Sequence, residues 1–405
     1  MHTNHLDTDE SSALLAPERY GDGLAWQLRW FAEVPLRMEE MSTAGGQHTE
    51  YNAWDQSRPP EEVNNEVIDR YGSTTFRDTE RMSPASTGAK APSFSVILAT
   101  HNRAHLLGRA VDSVLTQTFH DFELIIVDDA SPDSSRQVVE SFSDDRIVYI
   151  RREQNGGASA ARNTGICGAS GQYIAFLDDD DEYLPDLLAQ MSKVLESAPA
   201  RIGFVGCGIQ VMETSTSGGS TMRDQLPPTP AFNGREEAYL ACLRHLPFGT
   251  GWGLTIRATC FDTVGLFDET LETDVDRDLI IRLVQQYDYA VIPQVLVRVH
   301  RHTGPKVSTY GLAKARAHER IIQKNVQALR QHPRLWAIWH YKTGWLHYHS
   351  GNRTRGRDFM LRGLRRHPWH LKSWFGLFVF EVFRSRGPNL HQTLSRVKGT
   401  ACRKH

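Results

Sequence analysis

The chain has 405 residues, 40% of them apolar, and its 46 basic and 48 acidic side chains give a formal net charge of −2. This near-balance argues against a nucleic-acid binder held by bulk charge, and five scattered cysteines with no C-x-x-C pair argue against a disulfide scaffold or a thiolate metal site. The most apolar stretch, residues 374–383, is broken by Glu381 and too short to span a bilayer, so a cytoplasmic protein is expected, soluble or peripheral at the inner membrane face.

Residues 1–92 are rich in Ser, Thr, Asp, Glu and Pro and close in S-P-A-S-T-G-A-K-A-P-S, the composition of disordered chain or linker. The opening M-H-T-N-H-L-D-T-D-E has no apolar run, so no leader peptide is expected. Within this extension, Leu24, Leu28, Trp30, Phe31, Val34 and Leu36 have the spacing of an amphipathic helix over residues 22–41.

From Phe94 the pattern changes. Residues 95–99 read as a strand, 106–118 as a helix with Leu107, Ala110, Val111, Val114 and Leu115 on one face, and 122–127 as a buried strand ending in Asp128-Asp129. Then come a helix over 134–142, a strand over 147–150, a Gly/Ala-rich turn and helix over 156–169, and a strand over 173–177. That last strand runs into Asp178, Asp179, Asp180, Asp181 and Glu182. Such alternation predicts a parallel sheet with right-handed crossovers, which binds ligands beyond the carboxyl ends of its strands. The polar clusters Thr100-His101-Asn102, Asp128-Asp129 and the aspartate run fall at those ends. Five adjacent carboxylates at the end of a buried strand call for a counter-charge. Hard oxygen ligands suit Mg²⁺ or Mn²⁺, and cations held by one or two carboxylates fill their shells with water and substrate phosphates. A solvated acidic turn is the competing reading.

Downstream, residues 186–197 read as a helix, 202–212 as a strand, 213–233 as a polar loop and 248–256 as a Gly-rich segment around Trp252. The stretch V-G-L-F-D-E-T-L-E-T-D-V-D-R-D-L-I-I-R-L follows, with Asp274 or Asp276 placed to cap a helix over 277–286. A strand over 291–301 leads into H-R-H-T-G-P-K-V-S. Residues 310–405 read as helical and basic. Gly344, Gly351, Gly356, Gly363 and Pro368 sit where a tetratricopeptide repeat places small residues and its closing proline, predicting one helical hairpin. Beyond it, Trp369, Trp374, Phe375, Phe378, Phe380 and Phe383 interleave with Arg365, Arg366, Lys372, Arg384 and Arg386. That segment suits either an anionic membrane surface or packing against the rest of the protein.

Four ordered segments, S-V-I-L-A-T-H-N-R-A, L-T-Q-T-F-H-D-F-E-L-I-I-V-D-D-A-S-P-D, N-G-G-A-S-A-A-R-N-T-G-I and Y-I-A-F-L-D-D-D-D, resemble family 2 glycosyltransferases, with the likeness extending over about residues 94–305. The resemblance implies an α/β, GT-A, Rossmann-like mostly parallel sheet flanked by helices over residues 93–309, after a 1–92 extension and before a helical 310–405 extension. It implies an inverting, metal-dependent enzyme of polysaccharide or cell-envelope biosynthesis. The sugar would pass from a nucleotide-diphospho-sugar, a UDP-sugar by expectation, to a hydroxyl of a glycan, lipid-linked or protein-linked acceptor, with Mn²⁺ or Mg²⁺ as cofactor.

The resemblance also assigns roles. Ala99, Thr100 and Asn102 would lie against the base and ribose, Ala99 standing where the family often has Pro. Asp129 would bond the base, with Asp128 beside it, and Arg162 and Asn163 would lie near the diphosphate. Asp178, Asp179 and Asp180 cover the DxD region, with Asp180 the direct metal ligand and Asp178 or Asp179 at the ribose or a metal-bound water. The catalytic aspartate falls on Asp276, where Val275 replaces the family's Glu, with Asp274 a neighbouring candidate. His300 or His302 would approach the diphosphate or metal, and His302 is carried forward as a ligand. Two other classes remain: a sugar nucleotidyltransferase, which needs a Gly-rich phosphate loop where T-H-N-R-A stands, and a non-catalytic nucleotide-sugar-binding scaffold, which Val275 favours.

Overall fold

The computed structural model describes residues 80–82, 91–214, 220–227, 235–246, 249–301 and 311–382. The helix expected over 22–41, His302, Phe383, Arg384, Arg386 and the side chain of Trp252 lie outside the described residues. In chain order, β1 (Glu80–Met82) precedes β2 (Phe94–Thr100), α1 (Ala104–Leu115), β3 (Phe122–Asp128), α2 (Ser135–Glu140), β4 (Ile147–Arg151), α3 (Gly157–Gly168) and β5 (Tyr173–Asp178). Then follow β6 (Glu182–Tyr183), α4 (Leu187–Ser197), β7 (Ile202–Thr214), β8 (Ser220–Gln225), α5 (Arg235–Arg244) and a 3₁₀ turn (Thr250–Trp252). The chain continues through β9 (Thr255–Arg257), α6 (Cys260–Val264), α7 (Val275–Gln286) and β10 (Asp288–Arg301). Five helices follow: α8 (Gly311–Lys324), α9 (Val326–Gln331), α10 (Pro333–His349), α11 (Arg353–Arg366) and α12 (Leu371–Val382).

The strands form one sheet in the order β1-β4-β3-β2-β5-β9-β7-β10-β6, with β8 paired to β7 off this path. β2, β3, β4, β5, β7 and β10 all run in the same direction, while β1, β6, β8 and β9 run against them. The central strands are apolar on both faces because helices cover both faces. The chain lays β3 and β4 outward from one edge of β2, then returns to lay β5 along the other. This reversal opens a crevice between the carboxyl ends of β2 and β5, the place where open α/β sheets bind ligands. Helix α3 rests directly on β2. A Cβ at Gly165 would come within 2.6 Å of Ile97 Cγ2, so only glycine permits that approach, and Arg162 rides one turn earlier toward the crevice.

Two strands lie where apolar patterning is silent. β8 falls within the polar loop expected over 213–233; S-T-M-R-D-Q is exposed along nearly all its length and is held by pairing to β7 at the sheet margin. β9 is three residues long and pairs antiparallel with both β5 and β7. It bridges the two parallel groups of strands.

The C-terminal helices share a core with the sheet. Ile321, Ile322, Leu329, Leu335, Trp336, Trp339 and Phe359 belong to the same buried cluster as Ile97, Phe176, Phe204 and Leu279. Trp339 Nε1 donates to Leu243 O at 3.0 Å and ties α10 to α5. Helices α10 and α11 approach closely at their glycines, where a Cβ at Gly344 would meet Gly356 O at 2.6 Å. His340 is 2% exposed, is stacked on Trp336 with ring centroids 4.0 Å apart, and bonds Trp336 O through Nδ1.

Burial pushes the His340 imidazole down to about 4, below its ordinary 6.5. Between those values the unfolded chain binds the proton and the folded chain does not. His340 therefore favours folding above pH 6.5, and that contribution is lost as the pH falls toward 4, with a slope of up to about 1.4 kcal/mol per pH unit. Urea unfolding of the full chain at pH 7.5 and 5 should show lower stability at pH 5, and His340→Gln should reduce the difference.

Candidate active site

Three loops converge on the crevice. Thr100 ends β2 in register with Asp128 at the end of β3, and Ala99 pairs with Asp178 at the end of β5. Asp128 is fully buried. Its Oδ1 accepts from Ser131 N–H at 2.7 Å, and its Oδ2 accepts from Tyr149 Oη at 2.5 Å and Arg151 Nη1 at 3.0 Å. Arg151 Nη2 also reaches Ser131 O, locking residues 128–131 into a knot. Ser131 Oγ accepts from Asn102 N–H at 2.9 Å and ties the β2 end to the β3 end. Asp129 accepts from Arg152, from Gly156 N–H at 3.1 Å and from Gly157 N–H at 2.7 Å. Its carboxylate thus sits at the positive N-terminus of α3.

The acidic run divides its roles. Asp179 turns inward and is 5% exposed. It accepts from Thr100 Oγ1 at 2.8 Å and pairs with Arg103 Nη1 at 2.9 Å. Burial pushes its pKa up, against the pull of Arg103 and Thr100. Asp178, Asp180 and Asp181 turn toward one another, with one carboxylate oxygen of each within 4.8 Å of the others. Burial, then the charges of Asp178 and Asp180, raise the Asp181 carboxyl well above its ordinary range. Three mutually repelling carboxylates are a donor set that fits a divalent cation. Gly251 leaves the space beside them open, since a Cβ there would lie 3.6 Å from Oδ2 of both Asp178 and Asp181. Arginines surround the run: Arg103 also reaches Asp180 Oδ2 at 3.2 Å, Arg109 Nη2 donates to Asp180 O at 2.6 Å, and Arg109 Nε lies 3.3 Å from Glu182. The His300 ring bonds Glu182, and its backbone N–H donates to Asp181 Oδ1 at 3.0 Å.

Arg162 links the run to the candidate base. Its Nη2 donates to Asp178 Oδ1 at 2.7 Å, and its Nη1 lies 3.8 Å from Asp276 Oδ1. Asp276 stands in the first turn of α7. Its Oδ2 accepts from Thr250 N–H at 3.1 Å and Thr250 Oγ1 at 3.0 Å, while its Oδ1 has no hydrogen-bond partner among the described residues. Burial raises the Asp276 carboxyl, with Arg162 opposing. Asp274 turns elsewhere, toward Arg277 Nε at 3.2 Å and His318 Nε2 at 3.7 Å.

Of the residues singled out in the sequence, Thr100, Arg162, Asp178, Asp179, Asp180 and Asp276 come together here. Asn163 is placed as a clamp: its amide donates to Phe267 O at 3.0 Å and Glu269 Oε1 at 2.8 Å, and its Oδ1 accepts from Phe267 N–H at 2.9 Å. Arg103, Arg109 and Thr250 had no role in the sequence reading, which counted Asp181 within the acidic run but not among the metal ligands. The need of the acidic run for counter-charge pointed to the first two, because arginines in the turn and helix after β2 face β5 once those strands are neighbours.

The sequence profile of Glycosyl transferase family 2 matches residues 95–263. An uncharacterised glycosyltransferase of Rickettsia prowazekii is 28% identical over 220 residues, 54% of this chain and 67% of its own length. The UDP-Glc:alpha-D-GlcNAc-diphosphoundecaprenol beta-1,3-glucosyltransferase WfgD of Escherichia coli is 41% identical over 104 residues, 25% of this chain and 41% of its own. Among solved structures, S. aureus TarS 1-349 in complex with UDP-GlcNAc aligns over 68% of this chain and 92% of that chain, at 16% identity and a TM-score of 0.47.

Both Asp128 oxygens are bonded within the protein, so Asp128→Asn should cost stability. The loss of a charged, buried hydrogen-bond acceptor is expected to lower the unfolding free energy by about 1–3 kcal/mol in urea titrations.

Proposed function

We propose that this chain, a member of glycosyl transferase family 2, transfers a sugar from a nucleotide-diphospho-sugar, with a UDP-sugar the first candidate, to an acceptor hydroxyl with inversion at the anomeric carbon. The observation that carries the reading is the single guanidinium of Arg162, which reaches Asp178 of the acidic run and Asp276 on α7. A donor-side carboxylate and a base-side carboxylate are thereby fixed to one rigid group. The WfgD name describes a UDP-glucose donor and a diphosphoundecaprenol-linked acceptor for that protein, which supports the same classes here.

In this reading the β2–β5 crevice receives the nucleotide, with Ala99, Thr100, Asn102 and Asp129 framing the base and ribose. Asp178, Asp180 and Asp181 would hold Mn²⁺ or Mg²⁺, whose charge offsets that developing on the departing diphosphate. Arg103 and Arg109 orient the run from the α1 side, and His300 does so from β10. Asp276 takes the acceptor proton. Thr250 fixes its Oδ2, leaving Oδ1 to receive the proton, and its raised pKa makes it a better base than an exposed aspartate. One base and one displacement give inversion.

The acceptor class we propose is a glycan, lipid-linked or protein-linked hydroxyl at the cytoplasmic membrane face. Among the described residues no helix is long and apolar enough to cross a membrane. The α11–α12 corner exposes Trp369, Leu371, Trp374, Phe375 and Phe378 beside the exposed Arg365, Arg366 and Lys372. This aromatic and basic surface suits peripheral contact with anionic lipid.

Asp276→Asn should keep nucleotide-sugar binding and lose transfer by about 10²–10⁴-fold, the usual contribution of a positioned base. Donor affinity by calorimetry and turnover by release of the nucleoside diphosphate separate the two effects. Near-normal turnover would move the base elsewhere.

A further inference from the structure

The first turn of α7 also meets a cluster with too many cations. Arg277 spends Nε on Asp274 at 3.2 Å. Lys342 of α10 has Arg277, Asp274, Lys314 and Lys372 as its electrostatic neighbours, and Lys314 of α8 acts on both Asp274 and His318. Three positive charges, Arg277, Lys314 and Lys342, thus all act on the carboxylate of Asp274. Neither lysine makes a hydrogen bond or ion pair to the described residues. His318 adds no charge at neutral pH, because burial holds its imidazole near 3.

Unsatisfied polar atoms gather at the same place. Thr273 Oγ1, Asp274 Oδ2 and His318 Nδ1 are buried without a hydrogen-bond partner among the described residues, and His318 is 7% exposed. Crowded cations are costly unless an anion completes them. Burial and the neighbouring cations pull the Lys342 ammonium down to about 8, as expected for a positive group with too few partners. The cluster lies two residues before and one residue after Asp276 in the chain. Through Lys372 it continues to the foot of α12, which bears the exposed aromatics.

We propose that Arg277, Lys314 and Lys342 bind a phosphate or diphosphate group of the acceptor, next to the base that activates its hydroxyl. The inference rests on the transferase reading above and names what that reading leaves open, the chemistry by which the acceptor is recognised. The phosphate supplies the missing negative charge, and a lysine or arginine donates to its oxygens. Lys372 and the aromatic corner give an attached lipid a direction in which to leave.

The test is calorimetric titration of the full chain in EDTA, which takes the acidic cluster and its cation out of play. Octyl diphosphate should bind and octyl glucoside should not. Lys342→Gln should weaken octyl diphosphate at least about tenfold, the loss of one charge-assisted hydrogen bond, while Lys342→Arg keeps most of the binding. Lys314→Gln gives a second reading should Lys342→Gln fail to fold. If methyl diphosphate binds as well as octyl diphosphate, the acceptor is a water-soluble phosphorylated sugar; tighter octyl binding means a lipid-borne one, and both results support the site. Equal binding by wild type and both glutamine variants, or octyl glucoside binding as tightly as octyl diphosphate, overturns it. UDP-sugar binding in Mn²⁺ is measured on the same samples. UDP-sugar binding retained alongside equal octyl diphosphate binding by wild type and both glutamine variants defeats this inference alone, whereas absence of UDP-sugar binding in wild type defeats the transferase reading.

Discussion

Five consecutive carboxylates at the end of a buried strand repel one another, and much of the site is an answer to that repulsion. Arg103 comes from the turn after β2, Arg109 from α1, Arg162 from α3 and Arg298 from β10. Each belongs to a different element, so the charge at the end of β5 draws four parts of the fold into one place. The arginines reach Asp178, Asp179, Asp180 and Glu182, while among the described residues the hydrogen bond to Asp181 comes from the backbone N–H of His300. The negative charge left over is concentrated on Asp178, Asp180 and Asp181, and the proposed cation would occupy that residue of charge.

The same logic, with opposite sign, runs behind α7. There cations outnumber carboxylates, and the C-terminal helices supply two of them, Lys314 and Lys342. Helices α8 to α11 are therefore more than a cap on the core they share with the sheet. They bring positive charge to Asp274 and Arg277, in the turn that also carries Asp276. Backbone strain marks the same region. Among the described residues, the non-glycine positions with positive φ are Asn102, Ala130 and Asp274, at the ends of β2 and β3 and the start of α7. Such conformations persist where surrounding contacts impose them; here the contacts are the Ser131 bond to Asn102, the Asp128–Arg151 knot and the Asp274–Arg277 pair.

The strands were legible because both faces of the sheet are covered, which turns F-E-L-I-I-V and Y-I-A-F-L into unbroken apolar runs. Their order was not, since nothing in those runs says that β5 returns to the far side of β2. That step makes Thr100 a partner of Asp179 and brings Arg103 and Arg109 to the run. β8 escaped notice because its residues are polar and its strand form comes from β7 alone. The resemblance, aligned on Asp278-Leu279, placed the candidate base on Asp276, but its partner Thr250 lies 26 residues upstream in a Gly-rich segment without periodicity. Asp128, Asp129 and Asn163 are each bonded to the protein's own backbone, where they shape the loops of the crevice, and no motif shows those bonds.

As the proposed cation-assisted site for a nucleotide-diphospho-sugar, the β2–β5 crevice should bind its donor only with a divalent metal present. A thermal-shift screen of the full chain against UDP-, GDP-, dTDP- and CMP-sugars, each with Mn²⁺, Mg²⁺ or EDTA, tests it most directly, because a ligand that binds only the folded state raises the melting temperature by mass action. A rise is expected with one diphosphate-linked nucleotide class, present with the divalent cation and lost in EDTA. No rise with any donor in a folded sample, or an equal rise in EDTA, would contradict it.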